Sequence, residues 1–252
     1  MRPSIFGTRF MVIATAAAAV GAVLAPVSTA SAATASYSAS YVTLGNGKTV
    51  LQRWNPCQRI TYKVNLAAVP TASRTIILAE THAAIRVLAV KTGFVYIYRG
   101  ATTEVPRVGS SAKQTAELVI AYTTPARTNY SLAGTSAAYG GTRSSSWSSW
   151  NGTTMTYASA ITRGFVVVDT PDLLRYFKPG FGTGVRRGNL LLHELGHTTG
   201  LKHVSNIRLL MNATLTTASP SGYAVGDAAG LLAVGKRGGC ITVPTVVAAD
   251  FR

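Results

Sequence analysis

Acidic residues are the scarcest component of this chain. Its 252 residues include only 8 aspartates and glutamates against 24 lysines and arginines, and the formal net charge is +16. Sites built from several carboxylates therefore have few side chains to draw on, and any calcium would depend on backbone carbonyls with one or two acids. The positive charge is diffuse, without the arginine-rich runs or zinc-finger spacings of nucleic-acid-binding proteins, so we expect no specific nucleic-acid partner.

Cysteines and long apolar runs are also few. The two cysteines, Cys57 and Cys240, exclude a disulfide-dense miniprotein, and a hydrophobic content of 47% excludes a disordered chain. The longest apolar run, from Phe10 to Ala25, is shorter than the roughly 20 residues that a membrane helix needs. We therefore expect a folded domain with no membrane span.

The first 32 residues have the pattern of a secretory signal peptide. Arg2 and Arg9 precede the apolar run, and the small residues ASA at positions 30–32 follow it as a cleavage site. We expect residues 1–32 to be removed and the mature protein to be secreted. The alternative is an uncleaved N-terminal anchor.

Hydrophobic periodicity predicts a chain of mixed strands and helices. We interpret residues 33–56 as a flexible N-terminal segment, because the segment begins with small and polar residues. A long apolar pattern predicts a helix from Thr71 to Thr92, stopped by Gly93, and further helices are expected after Asp169, within 184–199 and at 227–234. Strands are predicted at 59–66, 94–98, 117–122 and 164–169.

The stretch 123–160 differs from the rest in its abundance of serine, threonine and glycine. We interpret it as long loops around one short edge strand near 132–139. Its aromatic residues, among them Trp147 and Trp150, either anchor these loops to the body of the protein or line a groove for substrate.

The most informative stretch reads HELGHTTGLKH. On a helix, His193 and His197 project from one face, close enough for both imidazoles to reach one metal ion. Glu194 lies beside the first ligand, where its carboxylate can deprotonate a water held by the metal. Gly200 permits the left-handed turn that ends the helix, and His203 then supplies a third nitrogen. Three nitrogens with an open fourth position are typical of catalytic zinc, so we expect one Zn²⁺.

This pattern resembles the metzincin superfamily of zinc endopeptidases, in which HExxHxxGxxH is followed by a methionine in a tight turn beneath the metal. Met211, in the sequence LLMNA, matches that Met-turn. Within the superfamily the likeness is greatest to matrixins and to matrixin-like secreted proteases of actinobacteria. The sequences GFVVVD at 164–169 and GDAAGLLAVG at 226–235 add to it, and the resemblance covers about residues 57–240.

The resemblance implies an α+β, metzincin-like zincin fold with a mixed twisted sheet. Residues 57–203 would form an upper catalytic lobe that ends with the zinc-binding helix, and residues 204–252 a small lower lobe with the Met-turn and the final helix. It implies a secreted zinc-dependent endopeptidase that acts on protein or peptide substrates, and we expect a monomer. The alternatives are a cell-wall peptide amidase or hydrolase and a non-catalytic zinc-containing binding protein.

The chain also departs from the matrixin pattern. Val204 follows His203 where matrixins have serine, and only His82 lies outside the motif, so the second, structural zinc site of matrixins is not expected. In a secreted protein Cys57 and Cys240 are expected to form a disulfide. The rival interpretation gives Cys57 the role of the matrixin cysteine switch, with its thiolate on the zinc.

Overall fold

A five-stranded mixed sheet forms the centre of the protein, whose computed structural model describes residues 37–108, 114–132, 134 and 136–243. In the order β5-β4-β6-β8-β7, neighbouring strands are parallel except for the antiparallel edge strand β7. The strands of this sheet are β4 Arg59–Asn65, β5 Val95–Ala101, β6 Leu118–Thr123, β7 Ala138–Trp150 and β8 Met155–Asp169. The expectation of an α+β protein with a mixed sheet is confirmed at this level.

The described residues also contain four short strands, and these correct one prediction. They are β1 Ser38–Ala39, β2 Tyr41–Thr43, β3 Thr49–Leu51 and β9 Leu201–Lys202. β1 pairs with β9 and β2 pairs with β3, both antiparallel. The interpretation of 33–56 as a flexible segment is therefore wrong for residues 38–51. The signal peptide predicted for 1–32 lies outside the described residues.

In the described part of the chain, four α-helices accompany the sheet. They are α1 Thr71–Thr92, α2 Thr170–Tyr176, α3 Arg187–His197 and α4 Val225–Val234. α1 packs against both α3 and α4, and its buried side chains recur at the three- and four-residue spacing of one helical face. It ends where predicted, because Gly93 adopts a left-handed φ of 73° and donates its N–H to the Ala89 carbonyl.

Within the long stretch interpreted as loops, residues 138–160 instead belong to a β-hairpin. β7 and β8 pair from Ala138↔Val168 to Trp150↔Met155, so the edge strand begins at Ala138 and not near residue 132. Residues 151–154 form the turn: the Asn151 carboxamide accepts the Thr154 N–H at 2.8 Å, and Gly152 has a φ of 95°. A polar edge strand needs an apolar face only toward the body, which explains why its composition resembles that of a loop.

Two connections join residues that are far apart in the sequence. Arg187, at the start of α3, donates to the Glu80 carboxylate of α1 at 3.0 Å, and both side chains are buried. Cys57 and Cys240 form a disulfide across 183 residues, as predicted. Among the described residues, none of the helices has the length and apolar character of a membrane span.

Candidate metal centre

Helix α3 carries the first two histidines on one buried face. Its position is fixed at the start by the Asn189 carboxamide, which donates to the carbonyls of Gly184 and Pro220 at 2.8 and 3.1 Å. His193 is 5% exposed and His197 lies one turn further on, next to the open side of the fold. The four-residue spacing therefore places both imidazoles side by side, as the sequence predicts.

A sharp turn brings the third histidine back to the helix. Gly200 has a φ of 101°, and a Cβ at this position would clash with the Gln52 carbonyl oxygen. The chain then forms strand β9 against β1, and the Val204 N–H donates to the Met211 carbonyl at 3.0 Å. His203 is thus fixed on both sides, by a strand pair before it and a backbone hydrogen bond after it.

The three imidazoles converge through their Nε2 atoms. The separations are 3.1 Å between His193 and His203, 3.2 Å between His193 and His197, and 3.0 Å between His197 and His203. A tetrahedral site with bonds of about 2.0–2.1 Å has nitrogen–nitrogen edges of about 3.3 Å, which is close to these values. These three residues can hold a metal ion.

Backbone carbonyls determine which ring nitrogen faces the centre. His193 Nδ1 lies 2.7 Å from the Leu210 oxygen, and His197 Nδ1 lies 2.9 Å from the Leu201 oxygen. A carbonyl can only accept, so each Nδ1 carries the proton and each Nε2 presents a lone pair. Two such lone pairs cannot hydrogen-bond each other at 3.2 Å. A bound cation would satisfy both at once.

Burial keeps these imidazoles neutral. It lowers the pKa of His193 to about 3, and the neighbouring His197 adds to this effect. It also lowers the pKa of His197 to about 4, whereas the more exposed His203 shows a lowered pKa without a large shift. Neutral imidazole is the form that binds a metal, so the site is preorganised for a cation near neutral pH.

Glu194 is buried beside the cluster, where α3 touches the edge strand. A Cβ at Gly140 of β7 would clash with the Glu194 backbone, so only glycine allows this approach. Burial raises the pKa of Glu194 to about 8, and a hydrogen bond from the Gly140 amide offsets part of that rise. A carboxyl group with a pKa near neutrality can both accept and return a proton.

Met211 and an unpredicted residue, Asp227, support the centre from below. Met211 is 2% exposed, and its sulfur packs so closely on Gly196 of α3 that a Cβ there would clash with it. The buried Asp227 carboxylate accepts the N–H groups of Leu210 and Met211 at 2.7 and 3.1 Å. Since Leu210 also accepts from His193, Asp227 connects α4 to a histidine of the cluster. The sequence shows only an acid near the start of a helix, which is common.

A cleft of about 630 Å³ contains the histidine cluster. Most of its lining residues come from β7, from α3 and from the segment after Met211, and Phe177 at the end of α2 adds to them. They include Tyr139, Gly140, Leu190, Glu194 and Leu215. Among the described residues, β7 pairs only with β8 and so is a terminal strand of the sheet. The cleft therefore combines the three nitrogens, a buried carboxyl group and an open strand edge.

The remaining candidate residues lie away from the centre. Cys57 is bonded to Cys240, so the alternative in which its thiolate binds the metal is wrong. His82 accepts or donates at 2.7 Å with the Tyr62 hydroxyl and packs against Tyr98, as expected of a structural residue.

Comparison with models of known protein families and with curated proteins finds no match to this chain. What the site can do must therefore be inferred from its own residues.

Proposed function

We propose that the protein is a secreted zinc-dependent endopeptidase of the metzincin type. The observation that supports this most strongly is the convergence of three histidine Nε2 atoms, within 3.2 Å of one another, beside the buried carboxyl group of Glu194. The packing of Met211 beneath α3 and the antiparallel edge strand over the same helix support the metzincin assignment. The chemistry of three neutral imidazoles, all nitrogen donors, favours zinc over calcium or magnesium.

The residues of the cleft divide the work of peptide hydrolysis. Zinc bound by His193, His197 and His203 would act as a Lewis acid on the scissile carbonyl and make a water molecule acidic. Glu194 would take a proton from that water and return it to the leaving amine. In the metal-free protein burial raises the pKa of Glu194 to about 8. A nearby cation favours the charged carboxylate, so metal binding prepares Glu194 as the base.

The edge strand β7 positions the substrate. Ala138 and Gly140 of this strand line the cleft, next to Glu194. An extended peptide can add to this edge by main-chain hydrogen bonds and place one of its carbonyls over the histidine cluster. Main-chain recognition of this kind selects an unfolded segment and not a particular sequence.

Cleavage of a mixed peptide library, analysed by mass spectrometry, tests this proposal. We expect cleavage that a chelator abolishes and that stoichiometric zinc restores. Purified peptidoglycan serves as a second substrate, because a peptide amidase of the cell wall would release fragments from it and leave the library intact. Metal binding without turnover of either substrate would instead identify a non-catalytic zinc protein and refute the proposal.

A further inference from the structure

A second cleft opens at the carboxyl ends of the parallel strands β4 and β6. It has a volume of about 580 Å³ and shares no lining residue with the histidine cleft. Asn65 and Thr123, the last residues of the two strands, form part of its wall. Ligands commonly bind at this end of parallel strands, because the loops that follow the strands diverge there.

The charge of this cleft is positive. Arg107 and Arg127 line it, and no carboxylate does. The Arg107 guanidinium donates to the Arg127 carbonyl at 3.4 Å, which keeps the two residues together. Among the described residues the one ion pair joins Arg187 to Glu80, so neither arginine of the cleft is neutralised by a carboxylate.

Two acidic side chains lie near the cleft, and both accept hydrogen bonds from other groups. Asp169 of β8, the register partner of Thr123, accepts the Asp172 N–H at 3.3 Å. Glu104 follows a lining residue, but its carboxylate accepts the N–H and the hydroxyl of Thr115 at 3.1 and 3.0 Å. Asn65 is engaged as well: its carboxamide donates to the Glu104 carbonyl at 3.0 Å and accepts the Ala67 N–H at 2.9 Å. Both contacts fix the loops around the cleft and leave its two arginines available.

Thr123 supplies an independent observation. Its side chain is 1% exposed, and its hydroxyl has no hydrogen-bond partner among the described residues. Buried hydroxyl groups without a partner are rare, because each loses its hydrogen bonds to water and gains none from the protein. A ligand oxygen in the cleft would provide the partner that the protein does not.

We propose that this cleft binds a small oxyanion, a carboxylate or a phosphate, between Arg107, Arg127 and the Thr123 hydroxyl. A carboxylate has two oxygens in one plane and a phosphate has four in a tetrahedron, and an arginine guanidinium can donate two parallel hydrogen bonds to either. A hydroxyl group can donate a hydrogen bond to either. A cation is disfavoured by the two positive charges, and an apolar ligand would leave the Thr123 hydroxyl without a partner.

Calorimetric titration of the mature protein with sodium phosphate and, separately, with sodium succinate at constant ionic strength tests this site. We expect saturable binding of at least one anion, and the preferred anion identifies the ligand class. Thr123→Val should weaken that binding at least tenfold, and the double variant Arg107→Gln, Arg127→Gln should abolish it. Arg237→Gln is the control, because it removes a positive charge far from the cleft. The cleft lies near the start of α1, whereas Lys236, the neighbour of Arg237, lies beside Gly93 at the end of this helix, roughly 30 Å away.

A melting-temperature measurement separates a binding role of Thr123 from a structural one. Valine has the same shape and suits a strand, so in anion-free buffer Thr123→Val should melt higher than the wild type because a buried hydroxyl without a partner is removed. At the same anion concentration the wild type should then gain more melting temperature than the variant. The proposal is refuted if neither anion binds saturably, if the cleft variants bind as the wild type does, or if Thr123→Val melts lower in anion-free buffer.

Discussion

Asp227 offers the sharpest test of how the fold supports the metal centre. Its Oδ2 accepts the N–H groups of Leu210 and Ala224 at 2.7 and 2.9 Å, and its Oδ1 accepts that of Met211 at 3.1 Å. In Asp227→Asn the amide has one acceptor oxygen, so at least one buried N–H faces an NH₂ group and loses its partner. Hydrogen bonds to a charged group contribute about 1.5–3 kcal/mol each, and we expect the variant to lose about 3 kcal/mol of stability.

The same substitution should reach the metal, because Leu210 is shared between Asp227 and His193. Loss of such indirect support typically costs 10- to 100-fold in metal affinity. Urea unfolding of the metal-free protein and competitive zinc titration against a chelator measure the two effects. The control is Asp172→Asn, which removes a charge of the same sign from the first turn of α2, away from residues 210–211. It should cost at most about 1 kcal/mol of stability and leave zinc affinity unchanged. If Asp227→Asn unfolds and binds zinc as the wild type does, our view of Asp227 is wrong.

Three further predictions concern the ligands, the base and the disulfide. His203→Ala should weaken zinc binding by orders of magnitude in an equilibrium dialysis, whereas unchanged affinity would remove His203 from the ligand set. In the metal-free protein burial raises the pKa of Glu194 from 4.5 to about 8, so between these pH values the folded state holds a proton that the unfolded state has released. As the pH rises through this range, the stability of the wild type relative to Glu194→Gln should fall by about 1.4 kcal/mol per pH unit. A difference in urea unfolding that does not change with pH would contradict this. Cys57→Ser should lose about 5 kcal/mol of stability, because the unfolded chain regains the entropy of a loop closed over 183 residues. The variant should gain no activity, and peptide cleavage above the wild-type rate would support the cysteine switch instead.

Local sequence patterns predicted the elements whose signals lie within one segment. The apolar periodicity and Gly93 define α1 from end to end, and the spacing of His193, His197 and His203 predicts their convergence around a single point. These features depend only on helical geometry and on the glycine at position 200, which allows the left-handed turn. Both can be recognised in the sequence of the segment itself.

Elements that depend on distant partners were missed. Ser38–Ala39 is a strand only because it pairs with Leu201–Lys202, and nothing in its own composition requires that. The β7–β8 hairpin was mistaken for loops because serine and glycine dominate it, although Asn151 and Gly152 form a dipeptide typical of hairpin turns. The role of Asp227 depends on the packing of α4 beneath residues 210–211, which no local pattern encodes.

The central claim is that Glu194 performs proton transfer at a metal held by other residues. The most direct measurement compares wild type and Glu194→Gln for zinc content and for cleavage of the same peptide under single-turnover conditions. We expect one zinc per chain in both proteins and loss of nearly all cleavage in the variant, because the carboxylate acts on the water and the histidines hold the metal. A variant that cleaves at the wild-type rate, or one that has lost its zinc, would contradict that claim.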